Sequence, residues 1–134
     1  MELRLATQED LNKVRDAVEQ KRIQYITVEL LQSDLNYKRL YVVVNNGIIL
    51  ATVSLVPDMQ YGYMAIKRLH VCDKRYTRQG IGRFAVHEIT KLVHGKVGAT
   101  PWEDNIAMRH LLESEGFELK YVFDIKWCFY CKTV

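Results

Sequence analysis

The chain opens on a run at residues 2–6 that alternates well enough to read as a strand. Thr7 and Asp10 then supply the side-chain acceptors that begin a helix. Leu11, Val14 and Val18 recur at helical spacing, so this helix has a buried face. A second, short helix starts at Thr27 and turns Val28, Leu31 and Leu35 inward. Two apolar runs, residues 40–44 and 48–56, flank Asn45-Asn46-Gly47, and Asn-Gly supplies the two positive-φ positions of a tight hairpin. Residues 61–71 form a third long β segment, broken from the second by Pro57-Asp58. Three antiparallel strands in a row are expected.

After a polar loop at residues 72–79, Ile81, Ala85, Ile89 and Leu92 fall on one helical face, with Val86 and Val93 beside them and Gly95 as the stop. Residues 96–100 read as a short strand. Residues 105–115 read as a helix with Met108, Leu111 and Leu112 inward, stopped by Gly116. Residues 117–123 and 125–133 close the chain as β segments. The order β-α-α-β-β-β-α-β-α-β-β predicts an α+β fold, a mixed sheet with flanking helices. No internal repeat is visible, and a chain of 134 residues fits a single domain, 1–134.

A hydrophobic fraction of 49% with only two prolines belongs to a globular protein rather than a disordered one. The apolar runs fall far short of the ~20 residues of a membrane span, and the start Met1-Glu2-Leu3-Arg4 lacks the order of a secretory signal. A cytoplasmic protein without a membrane partner is expected. Three cysteines, Cys72, Cys128 and Cys131, argue against a disulfide framework. Cys128 and Cys131 form a C-x-x-C, but within a strand-like run positions three apart face opposite sides, so neither a redox pair nor a metal site is expected.

The net charge of +3 is modest and does not by itself indicate nucleic acid. Its distribution says more. Lys67, Arg68, Lys74, Arg75, Arg78 and Arg83 crowd one segment against the single acid Asp73, and that segment expects an anion.

Within it, Thr77-Arg78-Gln79-Gly80-Ile81-Gly82-Arg83 follows a strand and opens a helix. Glycines admit close backbone approach, and the free amides of a helix start suit phosphate oxygens. The match of Gly80, Gly82 and Ala85 to a dinucleotide fingerprint fails on context, because a polar loop separates the glycines from their strand and a β-hairpin precedes them. A P-loop fails for want of Gly-Lys-Ser or Gly-Lys-Thr.

Here the sequence resembles the GNAT acetyltransferase superfamily. The loop is similar to its Gln/Arg-x-x-Gly-x-Gly/Ala pyrophosphate motif, with Thr77 in place of the usual Gln or Arg. Asn105 through Gly116-Phe117 looks like its second signature, a helix led by Asn and ended by Gly-Phe. The element order is similar over the whole chain.

The resemblance implies an N-acetyltransferase that uses acetyl-CoA and no metal. Thr77, Arg78, Gln79, Gly80, Ile81 and Gly82 would cradle the pyrophosphate with Arg83 nearby, the backbone of Leu69, His70 and Val71 would hold the pantetheine arm and polarise the thioester, and Asn105 would bond that arm. Bland readings stand beside these: Leu69 and Val71 as core, Asn105 as a helix cap.

The reaction expected is direct attack of a neutral amine on the thioester in a ternary complex, which needs proximity, proton removal and oxyanion stabilisation. His70 is the best-placed base by its ordinary pKa, Glu103 and Asp104 are alternatives through water, and no base is assigned. Many family members carry a tyrosine acid four residues before the glycine of Gly-Phe, where this chain has Leu112. Acceptor-wall residues are sought in Tyr25, Glu29, Tyr37 and Tyr121. The acceptor amine and the oligomeric state, a homodimer included, stay open. Two other readings are a non-catalytic acyl-CoA sensor and a small basic nucleic-acid binder using Lys67 to Arg83 with Tyr63 and Tyr76.

Overall fold

The computed structural model describes residues 1–21, 26–72, 80–123 and 126–134. Its elements are β1 (Glu2–Leu5), α1 (Gln8–Lys21), α2 (Val28–Asn36), β2 (Leu40–Asn45), β3 (Ile48–Asp58), β4 (Tyr63–Val71), α3 (Ile81–Thr90), β5 (Lys96–Ala99), α4 (Ile106–Ser114), β6 (Glu118–Val122) and β7 (Cys128–Thr133). The strands form one seven-stranded sheet in the order β1-β2-β3-β4-β5-β7-β6. All neighbours are antiparallel except β4 and β5. This is the α+β mixed sheet the pattern predicts.

Local chemistry explains the boundaries. The Thr7 amide donates to Asp10 Oδ2 at 2.8 Å and the Asp10 amide returns to Thr7 Oγ1 at 3.2 Å, a reciprocal cap that starts α1. Arg4 reaches over from β1 to the same carboxylate at 2.6 and 3.1 Å, and that hydrogen bonding holds the Asp10 pKa down at about 2. Thr27 Oγ1 accepts from the Leu30 amide at 3.1 Å and starts α2. Asn46 and Gly47 take φ of 51° and 76°, the positive pair the hairpin demands.

Alternation along β3 sorts the two layers. Ala51, Val53 and Leu55 join Ile81, Ala85, Val86 and Ile89 of α3 in the main core. Ser54 faces α2 on the other side, where Leu11, Val14, Val18, Leu31 and Leu40 form a second core beneath α1 and α2. Each of the valine, leucine and isoleucine side chains among these contributes about 1.5–3 kcal/mol by leaving water.

Two expectations need correction. Strand β3 runs through Pro57 to Asp58 instead of breaking there. Leu55 N–H bonds Arg39 O, so the missing N–H of Pro57 points the same way, beyond the end of β2, where no ladder bond is lost. Helix α3 ends at Thr90, before Gly95, and Leu92 is half exposed rather than inward. The α4 residues expected inward are so: Leu112 is fully buried, and Met108 and Leu111 pack against the main core.

Candidate functional site

The site is built where the two parallel strands part. Strands β4 and β5 pair only at Met64↔Val97 and Ala65↔Gly98, after which β4 continues through residues 66–71 with no β5 partner. The pairing is tight where it exists. A Cβ on Gly98 would stand 2.9 Å from both the Tyr130 carbonyl and the Tyr63 ring, so only glycine fits.

Strand β4 also carries a bulge. Thr52 stands opposite His70 and Ser54 opposite Lys67, leaving Arg68 and Leu69 together opposite Val53. Arg68 has φ 53°, a left-handed conformation that a non-glycine residue rarely adopts inside a strand. Beyond the bulge the Cys72 amide bonds the Leu50 carbonyl, so by alternation the backbone groups of Val71 point away from β3, into the cleft. Lys21 Nζ, at the end of α1, donates to the Val71 carbonyl there.

At the cleft's other wall, Gly80 begins α3 with φ 76° and no side-chain cap, which leaves first-turn amides without intrahelical partners. Gly82 plays a packing part: a Cβ there would lie 3.2 Å from Leu111 Cδ1 and 3.6 Å from Leu69 Cδ2. The glycine therefore brings α3 against α4 and the bulge. Thr77, Arg78 and Gln79 lie outside the described residues, as do Tyr25 and Tyr76.

The remaining predicted residues divide. The side chains of Leu69, Val71 and Ile81 pack in the main core, which leaves only their backbone for a ligand. Asn105 is the N-cap of α4, its Oδ1 accepting from the Met108 amide at 3.2 Å. Arg83 is turned toward Glu115, 3.7 Å away, which also holds His87 at 2.8 Å. Leu112 sits wholly inside the core. Glu103 and Asp104 are exposed.

His70 differs most from its expected role. Its ring is 3% exposed, both nitrogens lack a hydrogen-bond partner, and burial with help from the nearby Lys21 charge pushes its pKa down to about 4. It is neutral at physiological pH and a weak base.

Arg68, one of the cations expected to await an anion, already has one in Asp34 of α2. Its Nε and Nη2 bond Asp34 Oδ2 and Oδ1 at 2.7 and 2.8 Å, and Ser54 Oγ bonds Oδ2 at 2.6 Å. The sequence reading missed Asp34. An acid on the same helical stripe as Leu31 was the available signal.

On the α1/α2 face of β5, β6 and β7 lies an open groove of about 990 Å³ lined by Tyr61, Tyr63, Tyr121, Phe123 and Phe129. Burial raises the Tyr63 pKa to about 12, so its hydroxyl stays protonated. Tyr121 lines this groove, whereas Glu29 and Tyr37 stand at opposite ends of α2. Trp102 and Trp127 bridge the ends of β5 and β7 with rings stacked at 3.9 Å. Cys128 is buried, Cys131 is half-buried on the other face, and none of the three cysteines is in a disulfide. Among the described residues no cluster of His, Cys, Asp and Glu could hold a metal, and no helix is long and apolar enough to cross a membrane.

A mixed sheet whose parallel pair parts beside an uncapped, glycine-led helix is the architecture of this α+β chain. Residues 5–117 match the family model described as the acetyltransferase (GNAT) family. The chain belongs to that family, and acyl transfer is the activity membership carries. Solved structures of similar fold include a GNAT-family acetyltransferase from Streptococcus agalactiae, 13% identical with TM-score 0.86 over 99% of this chain and 95% of that one. A ribosomal-protein-alanine N-acetyltransferase from Brucella melitensis is 20% identical with TM-score 0.77 over 100% of both chains. Ard1 from Thermoplasma volcanium is 16% identical with TM-score 0.76 over 99% and 97%. No curated protein matches the chain by sequence.

Proposed function

We propose that residues 1–134 act as one domain that transfers an acetyl group from acetyl-CoA to an amine by direct attack in a ternary complex. The observation that carries this reading is the parting of β4 from β5 after Ala65↔Gly98, beside the uncapped start of α3 at Gly80. Such a cleft offers strand-edge backbone groups to the amides of a pantetheine arm and helix-start amides to a pyrophosphate. Thr77, Arg78, Gln79, Gly80, Ile81 and Gly82 form the phosphate loop in this reading. Residues 69–71 hold the arm, Asn105 caps the helix that walls it, and Arg83 adds charge nearby.

The attacking nitrogen must be neutral, the thioester carbon becomes tetrahedral, and the amide forms as the CoA thiolate leaves. A thiolate of ordinary thiol pKa leaves near neutral pH without an obligatory acid. That suits a chain whose Leu112 lies inside the core. A neutral, buried His70 serves better for packing or hydrogen bonding than for taking the proton, which goes to solvent or to a water held by Glu103 or Asp104. Three cysteines with no disulfide among them suit a reducing, cytoplasmic setting.

The test is a melting curve with acetyl-CoA, followed by CoA-thiol release across a panel of small amines and peptide N-termini. Cofactor at a hundred times its Kd stabilises the native state by about 2.7 kcal/mol. A melting point unmoved by millimolar acetyl-CoA overturns the reading. A shift without any amine-dependent thiol release would make the chain an acyl-CoA sensor.

A further inference from the structure

We propose that Asp34 and Arg68 are positioning residues, a clamp from α2 that fixes the β4 bulge and so decides which backbone groups of residues 69–71 face the cofactor cleft. This rests on the acetyl-CoA reading above and adds to it the device that sets its geometry.

Inserting Arg68 and Leu69 opposite one β3 residue shifts the alternation of everything after it by one. If β4 relaxed into a regular ladder with its N-terminal half in place, the groups of Val71 that now point into the cleft would turn toward β3, and those of His70 would replace them. A left-handed Arg68 is strained and persists only where its surroundings over-determine it. No glycine or proline makes this bulge locally favourable.

What over-determines it comes from another layer. Asp34 is buried with its side chain 7% exposed, and it takes both arms of the Arg68 fork together with the Ser54 hydroxyl. Ser54 belongs to the strand opposite the bulge, so one carboxylate ties α2, β3 and β4 at the point where the register shifts. Leu69, the other bulge residue, approaches Gly82 in the first turn of α3, which connects the clamp to the phosphate end of the cleft. A surface ion pair holds no register; this one joins three elements at the irregular step between β3 and β4.

The test reads the cofactor's carbonyl directly. Acetyl-CoA labelled with carbon-13 at the thioester carbonyl is bound to wild type, to Arg68→Met, and to the double variant Asp34→Asn with Arg68→Met, which strands no buried charge. Methionine keeps the Cβ that makes the left-handed conformation costly, so Arg68→Met removes the clamp and leaves the strain of the bulge unopposed. In wild type the bound carbonyl resonance should move downfield from its free position. In the variants, at saturating cofactor, at least about half of that displacement should be lost, and affinity for CoA without the acetyl group should fall as well, because the same backbone groups hold the pantetheine arm.

Folded variants with the wild-type carbonyl shift would overturn the proposal. So would a wild-type carbonyl unmoved on binding, or unfolding of both variants, since the clamp would then serve folding alone. Failure of wild type to bind acetyl-CoA is a different result and removes the cofactor reading itself.

Discussion

Two polar groups are buried on the same face of β3 and β4, one on each side of the bulge, and they are opposites. Around Asp34 every part has a partner: the carboxylate takes two bonds from Arg68 and one from Ser54. Past the bulge, His70 and Thr52 face each other across the strands, and neither ring nitrogen nor the hydroxyl has a protein partner. The first arrangement fixes geometry because each group is worth more in place than in water. The second carries the desolvation cost of polar atoms with no return from the protein. It is a place that tolerates a change of side chain, and the first is not.

The largest effect that would break this comparison is Asp34→Ala. It leaves the Arg68 guanidinium buried without its anion, and chemical denaturation should show a loss of about 3–5 kcal/mol. A loss under about 1 kcal/mol would mean the pair behaves as a solvent-screened surface bridge.

Next comes pH. The folded pKa of His70, about 4, lies below its ordinary 6.5, so the unfolded chain binds the proton more readily between those values. Stability is therefore complete above pH 6.5 and falls as the pH drops toward 4, by about 2–3 kcal/mol. Asp10, held near 2 by the Arg4 hydrogen bonds, adds a separate loss below its usual 3.8. Denaturation midpoints measured from pH 7 to 4 should slope in wild type and flatten in His70→Phe. Parallel slopes in the two proteins would refute the assignment.

The smallest effects sharpen the contrast most. Ser54→Ala withdraws one donor from the satisfied cluster and should cost about 1–2 kcal/mol. Thr52→Val removes a hydroxyl that bonds nothing and should be neutral or stabilising by up to about 1 kcal/mol. Paired denaturation curves give both, and equal costs would erase the distinction.

Much of the frame was legible in the sequence because it is written in local chemistry. Asn46-Gly47 determines its hairpin, Thr27 its helix start, and Gly116, at φ 87°, its helix stop. Gly80 and Gly82 open α3 and the Asn-to-Gly-Phe helix lies where expected, although Asn105 acts as a cap and Arg83 leans toward Glu115. What escaped was set by tertiary contact. Nothing near Arg68 announces a bulge, since the left-handed turn is held by a carboxylate 34 residues earlier. Pro57 misled for a related reason: whether a strand survives proline depends on the length of its neighbour β2, which the local sequence does not state. Leu92 fits the apolar stripe of α3, but the helix ends two residues before it.

The stacked pair of Trp102 and Trp127 has an optical consequence. They are the two tryptophans of the chain, and they lie ring to ring at the ends of β5 and β7. Two indoles held that close absorb and emit as one coupled chromophore. The intrinsic fluorescence and exciton dichroism of this protein therefore come from a single point in its C-terminal half, and events beneath α1 and α2 proceed without a native indole to record them.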